Sequence, residues 1–170
     1  YASATPVTNG THLYASFNSR GIYCYDLKGK LKWSRDLGDM ETRAGFGEGA
    51  SPALHKDTLL VNWDHEGDSF LIALDALTGK TRWKQERNER TNWTTPFVTK
   101  YEGKTLVVVN GGERVRCYDF ETGKELWSCG GQTLNVIPTP VATDKLVFCM
   151  SGFRGNAVYA LPFGSEGDTT

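Results

Sequence analysis

The 170-residue chain contains no run of about 18 apolar residues, so no part of it can cross a bilayer as a helix. Nor does any stretch of about ten residues carry apolar side chains at helical spacing, which excludes a helical bundle or a helical repeat. A formal net charge of −1 offers nothing to a polyanion, and nucleic-acid binding is excluded with it. The four cysteines include neither an adjacent pair nor a C-x-x-C spacing, so no zinc site is expected. The three histidines, His12, His55 and His65, lie in unrelated places and none belongs to a Ser/His/Asp or Cys/His arrangement. Catalytic residues, cofactor ligands and metal ligands are therefore all assigned as none.

What the chain does contain is a repeat. The motif Asp-x-x-Thr-Gly-Lys-x-x-Trp occurs at Asp75 to Trp83 and again at Asp119 to Trp127, with a version one residue shorter at Asp26 to Trp33. Upstream of each motif stands a proline, at Pro6, Pro52 and Pro96, and a fourth follows at Pro140. The period of about 44 residues belongs to solenoids and propellers. Each unit holds three short apolar runs between proline and motif, such as Pro96 to Val98, Leu106 to Val109 and Val115 to Tyr118, before Leu126 and Trp127. Runs of three to five residues rich in Val, Leu, Tyr and Phe and bounded by Gly, Asn and Asp read as strands. The expected fold is all-β, a partial β-propeller of about four four-stranded antiparallel blades, at about 3–35, 49–85, 94–129 and 138–163, with the fourth incomplete.

The motif then forms the hairpin between the third and fourth strands of a blade. Gly29, Gly79 and Gly123 stand where the turn demands a positive φ, and Asp26, Asp75 and Asp119 can bond the turn's backbone N–H groups. Trp33, Trp83 and Trp127 project from the outermost strand, placed to cover the seam to the next blade.

The run Ala73-x-Asp75-x-x-Thr78-Gly79-Lys80-x-x-Trp83 resembles the repeat of the pyrroloquinoline-quinone-like β-propeller superfamily. That superfamily holds quinoprotein dehydrogenases and noncatalytic scaffold propellers, so the resemblance implies the fold and a periplasmic or extracellular setting more than an activity. The enzymes would be expected to show an adjacent cysteine pair and a Glu/Asn/Asp calcium set around the quinone. The pair is absent from this sequence, and no calcium set can be placed on it.

Aligning the units explains most of the cysteines. Cys24 and Cys117 occupy the slot of Ala73 and Ala160 and act as small buried hydrophobes, and Cys149 is a packing residue on a second strand. Cys129 lacks that explanation, and a cross-hairpin disulfide to Cys117 is not expected. In the fourth unit Pro162 replaces the aspartate, and the residues after it supply neither Thr-Gly-Lys nor Trp. The chain opens at Tyr1 with neither signal peptide nor initiating Met, and is expected to be part of a ring completed by further blades or by a second copy.

Chain direction divides the loops between two faces. The ten lysines cluster around the hairpin turns, whereas Arg20, Arg43, Arg87, Arg90, Arg114 and Arg154 fall in the interblade and strand-two-to-three loops, as do the longest irregular segments, 36–50 and 86–93. Arginine's planar fork suits carboxylate or phosphate and stacks on rings. Ten acids share those loops, and pairing with them is the expectation for most of the six arginines. Asp64 to Asp68 lacks the register of a calcium loop, and Gly45 to Gly49 opens no helix as a phosphate loop would. The candidate ligand-binding face comprises Arg43, Trp63, His65, Arg90, Trp93, Arg114 and Arg154. The function expected is a noncatalytic binding or scaffold propeller that recognises a protein, peptide or glycan through these loops. The alternatives are a fragment of a quinone-dependent dehydrogenase whose cofactor site lies outside this chain, and a sensor domain of a signalling protein.

Overall fold

The computed structural model describes residues 3–170. Four sheets succeed one another along the chain. The first blade is β1 (Val7–Thr8), β2 (His12–Ser16), β3 (Ile22–Asp26) and β4 (Leu31–Arg35), and the second is β5 (Ala53–His55), β6 (Thr58–Trp63), β7 (Phe70–Asp75) and β8 (Thr81–Glu86). The third comprises β9 (Phe97–Tyr101), β10 (Lys104–Asn110), β11 (Val115–Asp119) and β12 (Glu125–Cys129). The fourth has only β13 (Val141–Ala142), β14 (Leu146–Met150) and β15 (Val158–Pro162). Within each blade the strands pair antiparallel in sequence order. No helix among the described residues is long and apolar enough to cross a membrane.

Successive side chains on a strand point to opposite faces, so one blade can serve two seams. Tyr14, Ile22 and Cys24 of the first blade pack on Leu59, Val61, Ile72 and Leu74 of the second. The alternate residues of the second blade, Leu60, Leu71 and Ala73, meet Val107, Val109 and Tyr118 of the third. Val108, Val115 and Cys117 of the third then meet Val147 and Cys149 of the fourth. Blades two and three are covered on both faces, which is why β6 is buried at every position while β14 alternates. All four cysteines are free and buried. Cys129 lies opposite Val115, whereas Cys117 lies opposite Trp127, so the register sets the two thiols in different cross-strand pairs.

Each seam is locked at its outer edge by a tryptophan. The indole N–H of Trp33 donates to the Ala76 carbonyl at 2.9 Å, that of Trp83 to Phe120 at 2.9 Å, and that of Trp127 to Phe163 at 3.3 Å. Trp33 lies opposite Cys24, Trp83 opposite Ala73 and Trp127 opposite Cys117, each beside a bulge in the hairpin. The receiving turn is built by its aspartate. Asp75 Oδ1 accepts the Thr78 N–H at 2.9 Å and the Thr78 hydroxyl at 2.8 Å, and Asp119 holds Thr122 in the same way at 2.9 and 2.7 Å. The Arg82 guanidinium and Thr78 beside it bring the Asp75 carboxyl down to about 2. The aspartate's own N–H closes the hairpin on the lysine carbonyl, Lys80 at 2.8 Å and Lys124 at 2.9 Å.

Pro162 has neither the carboxylate nor the N–H, and the fourth hairpin does not form. Instead the chain turns away and adds β16 (Gly167–Asp168) parallel to β12, the outermost strand of the third blade. The Thr169 N–H donates to the Ser128 carbonyl at 2.9 Å, and Arg114 pairs with Asp168. Sequence reasoning did not anticipate this strand, because no part of the C-terminal decapeptide carries a strand signature.

Gly79 and Gly123 satisfy two demands at once, whereas Gly29 satisfies one. All three have positive φ, at 71°, 75° and 81°. A Cβ at Gly79 would lie 2.8 Å from the Trp33 ring and at Gly123 2.5 Å from the Trp83 ring, but at Gly29 it would meet nothing within 4 Å. Gly29→Ala is expected to cost only the left-handed strain, about 1–2 kcal/mol. Gly123→Ala adds displacement of Trp83 and is expected to cost about 1–3 kcal/mol beyond that. Urea denaturation of the two variants, with equal losses, would show that the ring does not rest on the glycine.

Candidate ligand-binding face

The interblade segments and the loops between second and third strands lie at one end of the blades, and their side chains divide into two populations. The first is buried and polar. Arg87 donates from Nε to Asp64 Oδ1 at 2.8 Å and from Nη2 to Asp64 Oδ2 at 2.9 Å, and from Nη1 to the Tyr118 hydroxyl, with both members of the ion pair fully buried. Burial works against the charge on Arg87, but the facing Asp64 carboxylate, Tyr118 and Glu89 together outweigh it and raise the guanidinium's pKa. Glu89 accepts the backbone N–H groups of Glu113 at 2.8 Å and Arg114 at 3.2 Å and pairs with Arg116. Burial pushes its carboxyl up, against the pull of Arg87 and Arg116. This network ties the second blade's outgoing strand to the third blade.

Three residues of the expected face belong to the scaffold. Trp63 is 1% exposed and stacks on Phe70 with ring centroids 5.8 Å apart, so it has no surface to present. His65, 7% exposed, uses Nδ1 to accept the Glu41 N–H at 3.1 Å and the Gly67 N–H at 3.3 Å, which staples its own loop to the first interblade segment. Arg114 is spent on the C-terminal residues, through Asp168 and the Thr170 hydroxyl at 2.9 Å, and on the Ser128 hydroxyl of β12 at 3.1 Å.

Arg43, Arg90, Trp93 and Arg154 remain; Trp93 lines a feature that sequence reasoning missed, and Arg154 lies over the ring of Phe153, which lines it too. Ser3, Gly49, Trp93 and Ile137 each stand three residues before the repeat's proline, and all four line one open cavity of about 520 Å³. Phe46 from the first interblade segment, Asn135 from the third and Phe153 from the fourth blade complete it. Phe46, Ile137 and Phe153 are 66%, 64% and 61% exposed. Four bulky apolar side chains from four separate segments thus converge on one bowl. Trp93 is its fixed member: its indole N–H donates to the Gly47 carbonyl at 2.9 Å, its backbone N–H to the Val136 carbonyl at 2.9 Å, and its ring lies 6.4 Å from that of Phe46. The close approach requires glycine at 49, where a Cβ would stand 2.9 Å from the Trp93 ring. Asn135 Oδ1 is buried at the bowl without a hydrogen-bond partner.

Among the described residues Arg43, Arg90 and Arg154 form no ion pair. Each stands within three residues of a bowl aromatic: Arg43 before Phe46, Arg90 before Trp93 and Arg154 after Phe153. The expectation that acids would neutralise most of these loop arginines is met only at Arg87 and Arg114; Arg20 too has no ion pair among the described residues. The signal for the bowl was present in the proline ladder, since aligning the units on proline puts Ser3, Gly49, Trp93 and Ile137 in one column. No cluster of three His, Cys, Asp or Glu side chains that could hold a metal occurs among the described residues.

A family model described as outer membrane protein assembly factor BamB matches residues 2–92 and 67–167. Among curated proteins, a lanthanide-dependent methanol dehydrogenase of Methylacidiphilum fumariolicum (strain SolV) is 44% identical over 69 residues, 35% of this chain and 11% of that protein. The structure of BamB from Moraxella catarrhalis superposes with a TM-score of 0.69 at 19% identity, over 92% of this chain and 47% of that one. The quinohemoprotein alcohol dehydrogenase ADHIIG from Pseudomonas putida HK5 gives 0.58 at 30% identity, over 74% and 20%. The chain therefore spans about half of the BamB chain and a small part of either dehydrogenase.

The two populations of arginine differ in what their removal does. Arg87→Ala strands a buried Asp64 carboxylate and is expected to cost about 3–5 kcal/mol, whereas Arg90→Ala should stay within about 0.5 kcal/mol of the parent. Thermal unfolding of both variants checks this, and a large loss at Arg90 would assign that residue to packing.

Proposed function

Because the chain belongs to the family described as outer membrane protein assembly factor BamB, with the pyrroloquinoline-quinone-like propeller fold, we propose that it is a noncatalytic binding module that docks a protein segment on its interblade loops. The observation that carries this reading is the open apolar bowl of Phe46, Trp93, Ile137 and Phe153, three of them exposed, with the Arg154 guanidinium over the Phe153 ring and Arg43 and Arg90 three residues before Phe46 and Trp93 in sequence. Aromatic anchors grouped in one concavity and bordered by arginine are the composition of an interface centre. The ligand that fits is an apolar or aromatic side chain flanked by carboxylates, the anchor seated against Trp93 and the acids on Arg43, Arg90 and Arg154. Asn135 Oδ1 supplies an acceptor for a backbone N–H of that segment. The family's description as an assembly factor of the outer membrane supports an extracytoplasmic setting and a protein partner for the complete molecule.

A second reading has one observation in its favour, the 44% identity to a stretch of a lanthanide-dependent methanol dehydrogenase. On that reading the chain is a structural part of an enzyme whose cofactor site lies in other blades. Reconstitution of the complete parent protein with quinone and a lanthanide, followed by dye reduction with methanol, decides it.

For the binding module, peptides of about ten residues with a central Phe, Trp or Leu between glutamates serve as probes, read by anisotropy. The double variant Phe46→Ser, Phe153→Ser is expected to weaken binding by about 30-fold or more, with the melting temperature unchanged because both rings are exposed. Equal binding by the double variant would remove the bowl from the interface.

A further inference from the structure

The chain holds two Asn-Gly pairs, Asn9–Gly10 and Asn110–Gly111, and the fold gives them opposite surroundings. In such a pair the glycine's backbone nitrogen can attack the asparagine side chain, since the glycine has no Cβ to hinder the approach. Whether it does so depends on how the two groups are held and on what receives the charge that develops on the amide oxygen.

Asn9 and Gly10 lie in the exposed turn between β1 and β2. Gly10 has a φ of 88°, and a Cβ there would meet nothing within 4 Å. Asn9 Oδ1 accepts three hydrogen bonds, from the Thr11 N–H at 3.0 Å, the Thr11 hydroxyl at 3.0 Å and the His12 N–H at 2.8 Å. Three donors converging on one amide oxygen form an oxyanion cradle, which draws electrons from Cγ and stabilises the charge that attack places on Oδ1. On the side of the nucleophile, the Gly10 N–H donates to Thr8 Oγ1 at 3.0 Å, so its proton already has an acceptor. The leaving group is held loosely, Asn9 Nδ2 donating to the Tyr14 hydroxyl at 3.3 Å.

All of this is reversed at Asn110. It is fully buried at the end of β10, and among the described residues its Oδ1 has no hydrogen-bond partner. Its Nδ2 is anchored, donating to the Met150 carbonyl at 2.9 Å and the Pro138 carbonyl at 3.4 Å. The Gly111 N–H donates to the Arg114 carbonyl at 3.0 Å, and a Cβ on Gly111 would lie 2.6 Å from the Glu89 carboxyl carbon.

We propose that Asn9 is a site of self-modification, its side-chain amide being converted to a carboxylate through a cyclic imide formed with Gly10. The Gly10 nitrogen forms a bond to Asn9 Cγ, the Cγ–Nδ2 bond breaks, and ammonia leaves with the proton that the Gly10 nitrogen gives up. Water then opens the ring. Cleavage of the new Cγ–N bond leaves aspartate, whereas cleavage at the Asn9 backbone carbonyl leaves isoaspartate, whose main chain is one methylene longer. No oxidant or reductant takes part. Beside the turn, β1 is held to β2 by the pairs Val7–Tyr14 and Thr8–Leu13, so lengthening the turn loosens the first strand of the first blade. The turn stands at the end of the blades opposite the interblade loops, and the modification is independent of binding at the bowl.

The test is incubation of the unaltered 170-residue protein in mildly alkaline buffer, with each asparagine followed by tandem mass spectrometry. Asn9 is expected to convert at least about tenfold faster than Asn110 and to yield isoaspartate together with aspartate. Amide exchange at Val7 and Thr8 should quicken in the converted protein. Thr11→Val removes the hydroxyl donor and leaves the backbone donors, and should slow conversion by about threefold or more. Equal rates at Asn9 and Asn110 overturn the proposal, as does aspartate without isoaspartate. Faster conversion in Thr11→Val also overturns it, since the three bonds would then only hold the amide rigid. The comparison of the two asparagines is made within one molecule, so it stands whether or not the variant folds.

Discussion

The seams of this propeller depend on one contact, an indole of one hairpin donating to a backbone carbonyl of the next blade's turn. At the first two seams the ring also rests on a glycine three residues beyond that carbonyl. Sheet faces alone would leave the seams slippery, since Leu, Val and Ile surfaces tolerate sliding. The indole N–H selects one register, because its partner carbonyl is fixed by the aspartate-built turn. The aspartate, the glycine and the tryptophan are therefore a single device split between neighbours. Pro162 shows the effect of replacing one part: the turn is lost, and the strand that depends on it goes with it.

That device made the architecture legible from the sequence. Blade number, strand order and the failure of the fourth unit could be read from the motif because each depends on local turn chemistry repeated at a fixed spacing. The binding face was less legible, because burial depends on what a loop meets across a seam. Arg87 and Arg90 stand three residues apart in one loop, yet Arg87 is sealed against Asp64 and Arg90 has no ion pair among the described residues. Trp63 and Trp93 are chemically identical, but Trp63 ends a central strand and stacks on Phe70, whereas Trp93 leans over Gly49 into the bowl. Phe46 and Phe153 carried no signal, since nothing in the spacing of isolated apolar loop residues says that they converge on the column of Trp93 and Ile137. The pairing of β16 with β12 lay beyond reach for a different reason: it arises from the absence of a hairpin, and the tail has no pattern of its own.

The outer and inner parts of the blades divide their duties accordingly. At the outer edge the same residues recur, and at all three seams the indole N–H donates to a backbone carbonyl of the next blade. At the inner end the equivalent positions hold Ser3, Gly49, Trp93 and Ile137, four unlike side chains in one column. A rigid repeated frame that displays unlike residues at a common radius is a means of building one asymmetric site from symmetric parts. The glycine is as necessary as the tryptophan there, since only its missing side chain lets Trp93 lie across the cavity.

The tryptophan contact is also directional. Each complete unit offers a ring toward its successor and a turn toward its predecessor, so the blades are ordered head to tail, like monomers in a polar filament. No seam carries information about how many units precede it. Excision or duplication of a whole period between equivalent prolines leaves every surviving junction with one head and one tail. The number of blades is thus free to drift at the level of the gene while the chemistry of each junction stays the same.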